Sequence, residues 1–281
     1  MPFLFRIFLF FAVGYSILVT AAFIWQRKMI YFPDREKPME GQIHAVGLQF
    51  WPNNSDTYRG FVASDPPAES KGTVIVFHGN AGGAWHRNYY VHALVPLGFN
   101  VILAEYPGYG GRDGFPSEAN FASDARQTAQ LAHDAFGGPL YLWGESLGCG
   151  VAAALATDPP VPAEGVVLVT PWDSLPDLAQ SLYWYFPVRW LLRDQFDNVK
   201  NLQSFDKPVA VAIAAFDEII PTKRSLRLYE SLKPPKRLWR FEAAGHNNWP
   251  TDPTEEWWRE VMRFISSAES QQEAFEKSSR F

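Results

Sequence analysis

Cysteine is nearly absent. The 281 residues hold one, Cys149, which excludes a disulfide framework within the chain and a multi-cysteine zinc site. No run of Lys or Arg interrupts the body. The formal net charge is −5, a mild acidity at odds with the basic field of a nucleic-acid binder. Internal repeats and low-complexity tracts are missing as well. Charged residues make up 20% and hydrophobic residues 47%, the balance of a folded globular chain, and the length suits one domain with a short appendage.

A long uncharged run occurs once. Residues 7–25 carry no charge and are almost wholly apolar, just enough to cross the hydrocarbon core as a helix. Trp25 falls at one interface, followed by Gln26, Arg27 and Lys28. A cleaved signal peptide competes with this reading: Arg6 precedes the run, a core ends near Leu18, and small residues follow at Ala21 and Ala22. Apolar character continues through Phe23, Ile24 and Trp25, past any such cleavage site, and this favours a retained anchor. The expected organisation is an anchor at 1–28, a body at 29–268 with a small lid region at 171–206, and a polar tail without function at 269–281. Arg27, Lys28, Arg35 and Lys37 follow the run against Arg6 before it. By the positive-inside rule this leans toward a single-pass membrane protein with a cytoplasmic body, although Asp34 and Glu36 dilute the bias.

Residues 29–41, with Pro33 and Pro38, read as a connector. Residues 46–51 and 58–62 then read as paired edge strands. The run at 73–77 is continuously apolar and β-branched, the mark of a strand buried on both faces. Similar runs recur at 100–104, 140–143, 166–169, 209–214 and 238–241. Helical segments are expected at 119–136, 146–156, 222–232 and 254–265. Buried strands alternating with helices predict an α/β fold, a mostly parallel sheet flanked by helices. Sites in such sheets lie at the carboxyl ends of the strands. The stretch 171–206 breaks the rhythm and is rich in aromatics, among them Trp172, Tyr183, Trp184 and Trp190. Half of these can be ordinary core; clustered over a catalytic face they would also wall an apolar pocket.

The chemistry-bearing segments fall at strand ends. Gly144-Glu145-Ser146-Leu147-Gly148 is a G-x-S-x-G sequence between a strand and an alanine-rich helix, the context of a nucleophile elbow. Its glycines are expected because a β-carbon there would strike the neighbouring strand and helix. A serine hydroxyl needs a base. His246 follows the last strand and occupies the third place in a Ser…Asp…His order. Asp217 is the first carboxylate after the 209–214 strand and is expected to orient the histidine, with Glu218 its competitor and more plausible as a solvated neighbour. Backbone donors for an oxyanion are expected at Leu147, directly after the serine, and at Asn80 (or Ala81) in His78-Gly79-Asn80-Ala81. His78 reads as a brace for that loop. Tyr106, Tyr109 and Trp172 are candidate pocket residues, although packing suits both tyrosines equally. Cys149 reads as a small buried thiol.

Together these segments resemble the membrane-anchored α/β-hydrolases of the bud-emergence type, which include monoacylglycerol-lipase-like and depalmitoylase-like enzymes. The resemblance runs from Met29-Ile30-Tyr31-Phe32-Pro33 through Tyr106-Pro107-Gly108-Tyr109-Gly110 and Pro116-Ser117-Glu118 to Gly245-His246-Asn247. It implies Ser146, Asp217 and His246 as triad and Asn80 with Leu147 as oxyanion hole. Where that family often carries arginine this chain has Glu145 and Pro107, a difference that bears on substrate preference. The expected activity is hydrolysis of an ester or thioester of an apolar acyl group through an acyl-enzyme, with no cofactor and no metal. The expected partners are a lipid-like acyl substrate and the membrane, and no nucleic acid. Two rivals stand beside it. A serine aminopeptidase on the same fold would need an acidic patch for the substrate amine, at Glu145 or a lid aspartate. A membrane-anchored binding protein would use the fold without catalysis.

Overall fold

The computed structural model describes residues 3–267; the expected polar tail at 269–281 lies outside them. Eight strands form one sheet: β1 (Leu48–Trp51), β2 (Gly60–Ala63), β3 (Thr73–Phe77), β4 (Asn100–Ala104), β5 (Leu140–Glu145), β6 (Ala163–Val169), β7 (Val209–Ala214) and β8 (Lys236–Phe241). Their spatial order is β8-β7-β6-β5-β3-β4-β2-β1. Pairing from β4 through β3 to β8 is parallel; β2 is antiparallel to both β1 and β4. The central strands are buried on both faces, which is why their sequences run apolar without alternation.

Helices cover both faces. In chain order they are α1 (Phe3–Ile30), α2 (Glu40–Ala45), α3 (Tyr89–Leu94), α4 (Glu118–Phe136), α5 (Leu147–Thr157), α6 (Leu175–Leu182), α7 (Val188–Leu191), α8 (Asn198–Leu202), α9 (Thr222–Ser231) and α10 (Glu256–Ser266). Helix α4 shows how local sequence sets an element. The Ser117 hydroxyl caps it by accepting from the Asn120 amide at 3.2 Å, Phe121, Ala125, Ala129 and Ala132 form its buried stripe, and Gly137 ends it at φ 63°. Helix α10 lays Trp257, Trp258, Val261, Met262 and Ile265 against the opposite face of the sheet. There Trp143, Tyr90, Trp249 and Trp258 pack with ring centroids 5.4–6.1 Å apart.

Two short segments differ from the sequence reading. Helix α2 occupies the last two residues of the expected connector and the stretch between it and the first edge strand, and α3 lies where no periodicity predicts an element. Each has six residues, too short for a pattern to declare itself. The connector is more than a spacer. Phe32–Pro33 pairs in parallel with Ala81–Gly82, and the Gly110 amide donates to the Asp34 carbonyl at 2.7 Å. Helix α1 itself runs past the expected anchor boundary to Ile30, and Gln26 within it is buried.

The elbow glycines are steric requirements. A β-carbon on Gly144 would lie 2.5 Å from the Cys149 Cα, and one on Gly148 would lie 1.8 Å from the Phe77 carbonyl oxygen. Backbone cannot yield as a flexible side chain can, so the cost exceeds the usual 1–3 kcal/mol (roughly) of core overpacking. Gly148→Ala is therefore expected to yield little folded protein by circular dichroism. Gly41→Ala, where nothing lies within 4 Å, should melt like the parent. Equal melting temperatures for the two variants would show that the β3–α5 contact can spread.

Candidate active site

Ser146 stands between β5 and α5 with φ 51° and ψ −113°. A non-glycine residue there carries strain of about 1–3 kcal/mol and is held by its surroundings. Its amide donates to the Val169 carbonyl and its own carbonyl accepts from the Cys149 amide, both at 2.9 Å. The buried Cys149 thiol points at the Gly144 and Val169 carbonyls, at 3.3 and 3.2 Å, and fastens the same corner. Burial pushes that thiol well above its ordinary pKa, consistent with a packing role.

Three side chains from separate loops meet here. Ser146 Oγ lies 2.9 Å from His246 Nε2, and His246 Nδ1 lies 2.8 Å from Asp217 Oδ2. The other oxygen of Asp217 accepts from the Ile219 and Ile220 amides at 2.9 and 2.7 Å, so the carboxylate is fixed at both ends. Glu218 is exposed yet not idle. Its Oε2 accepts from the His246 backbone amide at 3.0 Å, and this bond is the main cause holding its carboxyl below the usual range. Gly245 makes room for it, since a β-carbon there would lie 2.7 Å from Glu218 Oε2. Both acidic neighbours thus contact the histidine, Asp217 at the ring and Glu218 at the backbone. The expectation of a merely solvated Glu218 is corrected on this point.

Opposite the serine runs the loop Gly79-Asn80-Ala81. Neither the Asn80 nor the Leu147 amide donates to a protein acceptor among the described residues, and both residues line the cavity beside Ser146. The loop is tied down from behind. The Asn80 carbonyl accepts from the Phe32 amide at 2.9 Å and the Tyr109 hydroxyl at 2.8 Å, and its side-chain amide donates to the Ile30 carbonyl at 2.8 Å. His78 sits below it, within 3.0 Å of Glu105 Oε1, while Glu105 Oε2 accepts from the Ala84 amide at 2.9 Å. Glu105, fully buried, is a positioning residue that sequence reasoning missed. The signal was a carboxylate closing an otherwise apolar strand run, 100–104.

The cavity over Ser146 measures about 690 Å³. Its lid side is apolar, with Trp172, Leu175, Leu178 and Leu182; its other side carries His86, Arg87 and Asn247. Of the three candidate pocket residues, Trp172 lines it. Tyr106 and Tyr109 do not: both are buried beneath the loop, Tyr106 stacked on Phe121 at 4.3 Å with its hydroxyl donating to the His78 carbonyl. Their role is bracing, because the Tyr-Gly turn passes under the loop rather than over the cavity. Glu145 also lines the cavity, and its carboxylate is engaged by Tyr89 at 2.6 Å, Tyr90 at 3.1 Å and Arg87 at 3.5 Å. Among the described residues no group of three or more His, Cys, Asp or Glu could hold a metal ion.

A doubly covered parallel sheet, a strained serine at a strand–helix corner and an aligned His–Asp pair define the α/β-hydrolase class. Residues 68–196 match the family model described as serine aminopeptidase, S33. A Mycobacterium tuberculosis protein described as uncharacterized is 34% identical over 234 residues, covering 80% of this chain and 83% of its own length. The lysophosphatidylserine lipase ABHD12 of Danio rerio is 31% identical over 222 residues, and this chain spans only 56% of that lipase. Among solved structures, an esterase of Pyrococcus furiosus superposes with a TM-score of 0.64 at 17% identity, over 84% of this chain and 96% of that one. A monoacylglycerol lipase of Paleococcus ferrophilus gives 0.55 at 23%, over 72% and 96%. The chain belongs to the α/β-hydrolase superfamily and is an enzyme of that class, with esterase and lipase relatives.

Proposed function

We propose that this enzyme is a serine hydrolase that cleaves the ester of a single-chain acyl lipid, such as a monoglyceride or lysophospholipid, through an acyl-enzyme. The observation that carries the reading is the unbroken line from Asp217 through His246 to Ser146 at the floor of a half-apolar cavity. Ser146 Oγ attacks the ester carbonyl carbon as its proton passes to His246 Nε2. The Leu147 and Asn80 amides receive the charge that develops on the carbonyl oxygen. His246 returns the proton to the departing alcohol. Water then gives its own proton to His246 and attacks the acyl carbon; the acyl–Oγ bond breaks, His246 returns that proton to Ser146 Oγ, and the fatty acid leaves. Asp217 supports the imidazolium in both halves.

The division of the cavity suits an ester with an apolar acyl part and a polar alcohol, and the lysophosphatidylserine lipase and monoacylglycerol lipase relatives point the same way. The aminopeptidase alternative needs an unengaged carboxylate for the substrate amine. Glu145 is occupied by two tyrosines and Arg87, while Asp173, Asp177 and Asp194 of the lid region pair with Arg224, Arg189 and Arg27. This favours the ester reading. We further propose that α1 is retained as an anchor and that the enzyme belongs to the membrane-anchored, bud-emergence subgroup. Helix α1 is long and apolar enough to cross a membrane, and its Gln26 and Arg27 are bonded into the body. The flanking charges lean to a cytoplasmic body, though Arg27 is already paired with Asp194.

The test is a fluorophosphonate probe with a paired substrate panel. Covalent labelling and turnover of nitrophenyl esters are expected, with aminoacyl-nitroanilides left intact. Faster cleavage of the anilides would hand the site to the peptidase reading, and no labelling at all would favour a binding protein.

A further inference from the structure

A second cavity, about 290 Å³, lies between α1 and the lid. Its walls include Val19, Ala22 and Phe23 from the anchor helix and Val188 and Leu191 from α7. It adjoins the Ser146 cavity, and Met29, Ile30, Ala179 and Tyr183 line both. We propose that this groove binds the acyl chain of the substrate, so that the last turns of the anchor helix are one wall of the substrate site. The proposal rests on the hydrolase reading above.

Three observations support it. First, the groove is largely apolar, with Tyr183 and Tyr185 its hydroxyl-bearing side chains. Gln26 is its one amide side chain, and both ends are spent: Nε2 donates to the Phe23 and Leu191 carbonyls at 2.8 and 3.2 Å, and Oε1 accepts from the Arg193 amide at 2.7 Å. A largely apolar groove of this size suits an alkyl chain, which asks for no hydrogen-bond partner.

Second, the two walls are clamped at both ends. The Tyr15 hydroxyl donates to the Tyr185 carbonyl at 2.8 Å, while Arg27 grips Asp194 through two bonds of 2.9 Å. These clamps are about 18 Å apart along the helix by its rise per residue. Asp194 is 2% exposed and also accepts from the Tyr31 hydroxyl and the Glu118 amide, so Arg27 neutralises a buried charge that would otherwise be costly. The anchor is therefore held against the lid rather than tethered to it.

Third, the outer rim presents aromatic rings for contact with lipid. Trp184 and Trp190, interleaved in sequence with groove residues, are 78% and 86% exposed. With Trp25 at the interface, the Tyr15–Tyr185 bond sets this rim about 15 Å along the span, where exposed rings meet lipid acyl chains. With α1 across the bilayer, an acyl chain passes from the lipid along Phe23 and Ala22 to Ser146 without crossing water.

The experiment uses the full chain in lipid nanodiscs and measures kcat/KM on nitrophenyl butyrate and nitrophenyl palmitate. Ala22→Trp fills the groove from the helix, and Ala179→Trp fills it from the lid. Ala21→Trp places the same ring on another face of α1, where Ala21 borders a separate shallow cleft. The palmitate-to-butyrate ratio is expected to fall by about tenfold or more in the two groove variants, as several methylenes lose their contacts, and to stay within about twofold of the parent in Ala21→Trp. If either groove variant does not fold, the other carries the same comparison. An unchanged ratio in the groove variants, or an equal fall in Ala21→Trp, overturns the proposal. A parent protein that hydrolyses neither ester and takes no fluorophosphonate removes the hydrolase reading itself, and the groove proposal with it.

Discussion

Ser146→Ala is expected to abolish both fluorophosphonate labelling and ester turnover while leaving the fold intact. The substitution removes one oxygen and keeps the β-carbon, so the strained corner at φ 51° is unchanged and the Ser146 amide still meets the Val169 carbonyl. The single side-chain bond lost is the 2.9 Å contact with His246 Nε2. That bond is modest for stability, about 1 kcal/mol or less for a part-exposed pair. For the proposed reaction it is the bond that matters, because no other hydroxyl is hydrogen-bonded to this histidine among the described residues. In a well-studied serine protease the loss of the nucleophile costs on the order of 10⁶ in turnover. Labelling followed by gel fluorescence, with circular dichroism for the fold, reads both halves of the expectation. A labelled alanine variant would put the nucleophile elsewhere.

Asp217→Asn is expected to cost nearly as much, about 10⁴ in kcat by analogy with the same change in a serine-protease triad. The reason lies in which oxygen does what. Oδ1 accepts from the Ile219 and Ile220 amides, and an asparagine keeps that acceptor by turning its oxygen to them. Its NH2 must then face His246 Nδ1, which drives the ring proton to Nε2 and points it at the Ser146 hydroxyl. The histidine can no longer take a proton from the serine. Glu218→Gln keeps an acceptor for the His246 amide and should cost less than about tenfold, as for an exposed charge. The Glu218 carboxyl is held below its usual range, so its bond is at full strength above the ordinary carboxylate range. It weakens only as pH falls through that lowered value. The measurement is kcat on a nitrophenyl ester for both variants. Normal turnover in Asp217→Asn with collapse in Glu218→Gln would exchange the two roles, and normal turnover in both would move the acid to another strand end.

The two acidic neighbours also show where sequence reasoning stops. Their adjacency suggests that only one can face the histidine, since successive residues leaving a strand diverge. They do diverge, but the chain around His246 is wide enough for Asp217 to take the ring and Glu218 the backbone. Tyr106 and Tyr109 carry a similar lesson. An aromatic turn after a strand is equally readable as pocket wall or as brace, and their burial beneath the Asn80 loop decides for the brace.

What the sequence by itself determined is local. The continuous β-branched runs announce strands buried on both faces, and the glycines flanking Ser146 announce a corner that no β-carbon can enter. The order serine, aspartate, histidine after β5, β7 and β8 picks out the three residues that meet, because parallel strands deliver their carboxyl ends to one edge. What only the tertiary structure decided is which distant backbone groups need partners. The residues after α1, read as a connector, pair with Ala81–Gly82 and hold the Asn80 loop, and α1 stays clamped to the lid region through Gln26, Arg27 and Asp194. Periodicity reports whether a residue is buried. It is silent about which carbonyl, fifty or more positions away, accepts its hydrogen bond, and at this site such bonds set the shape of the cavity.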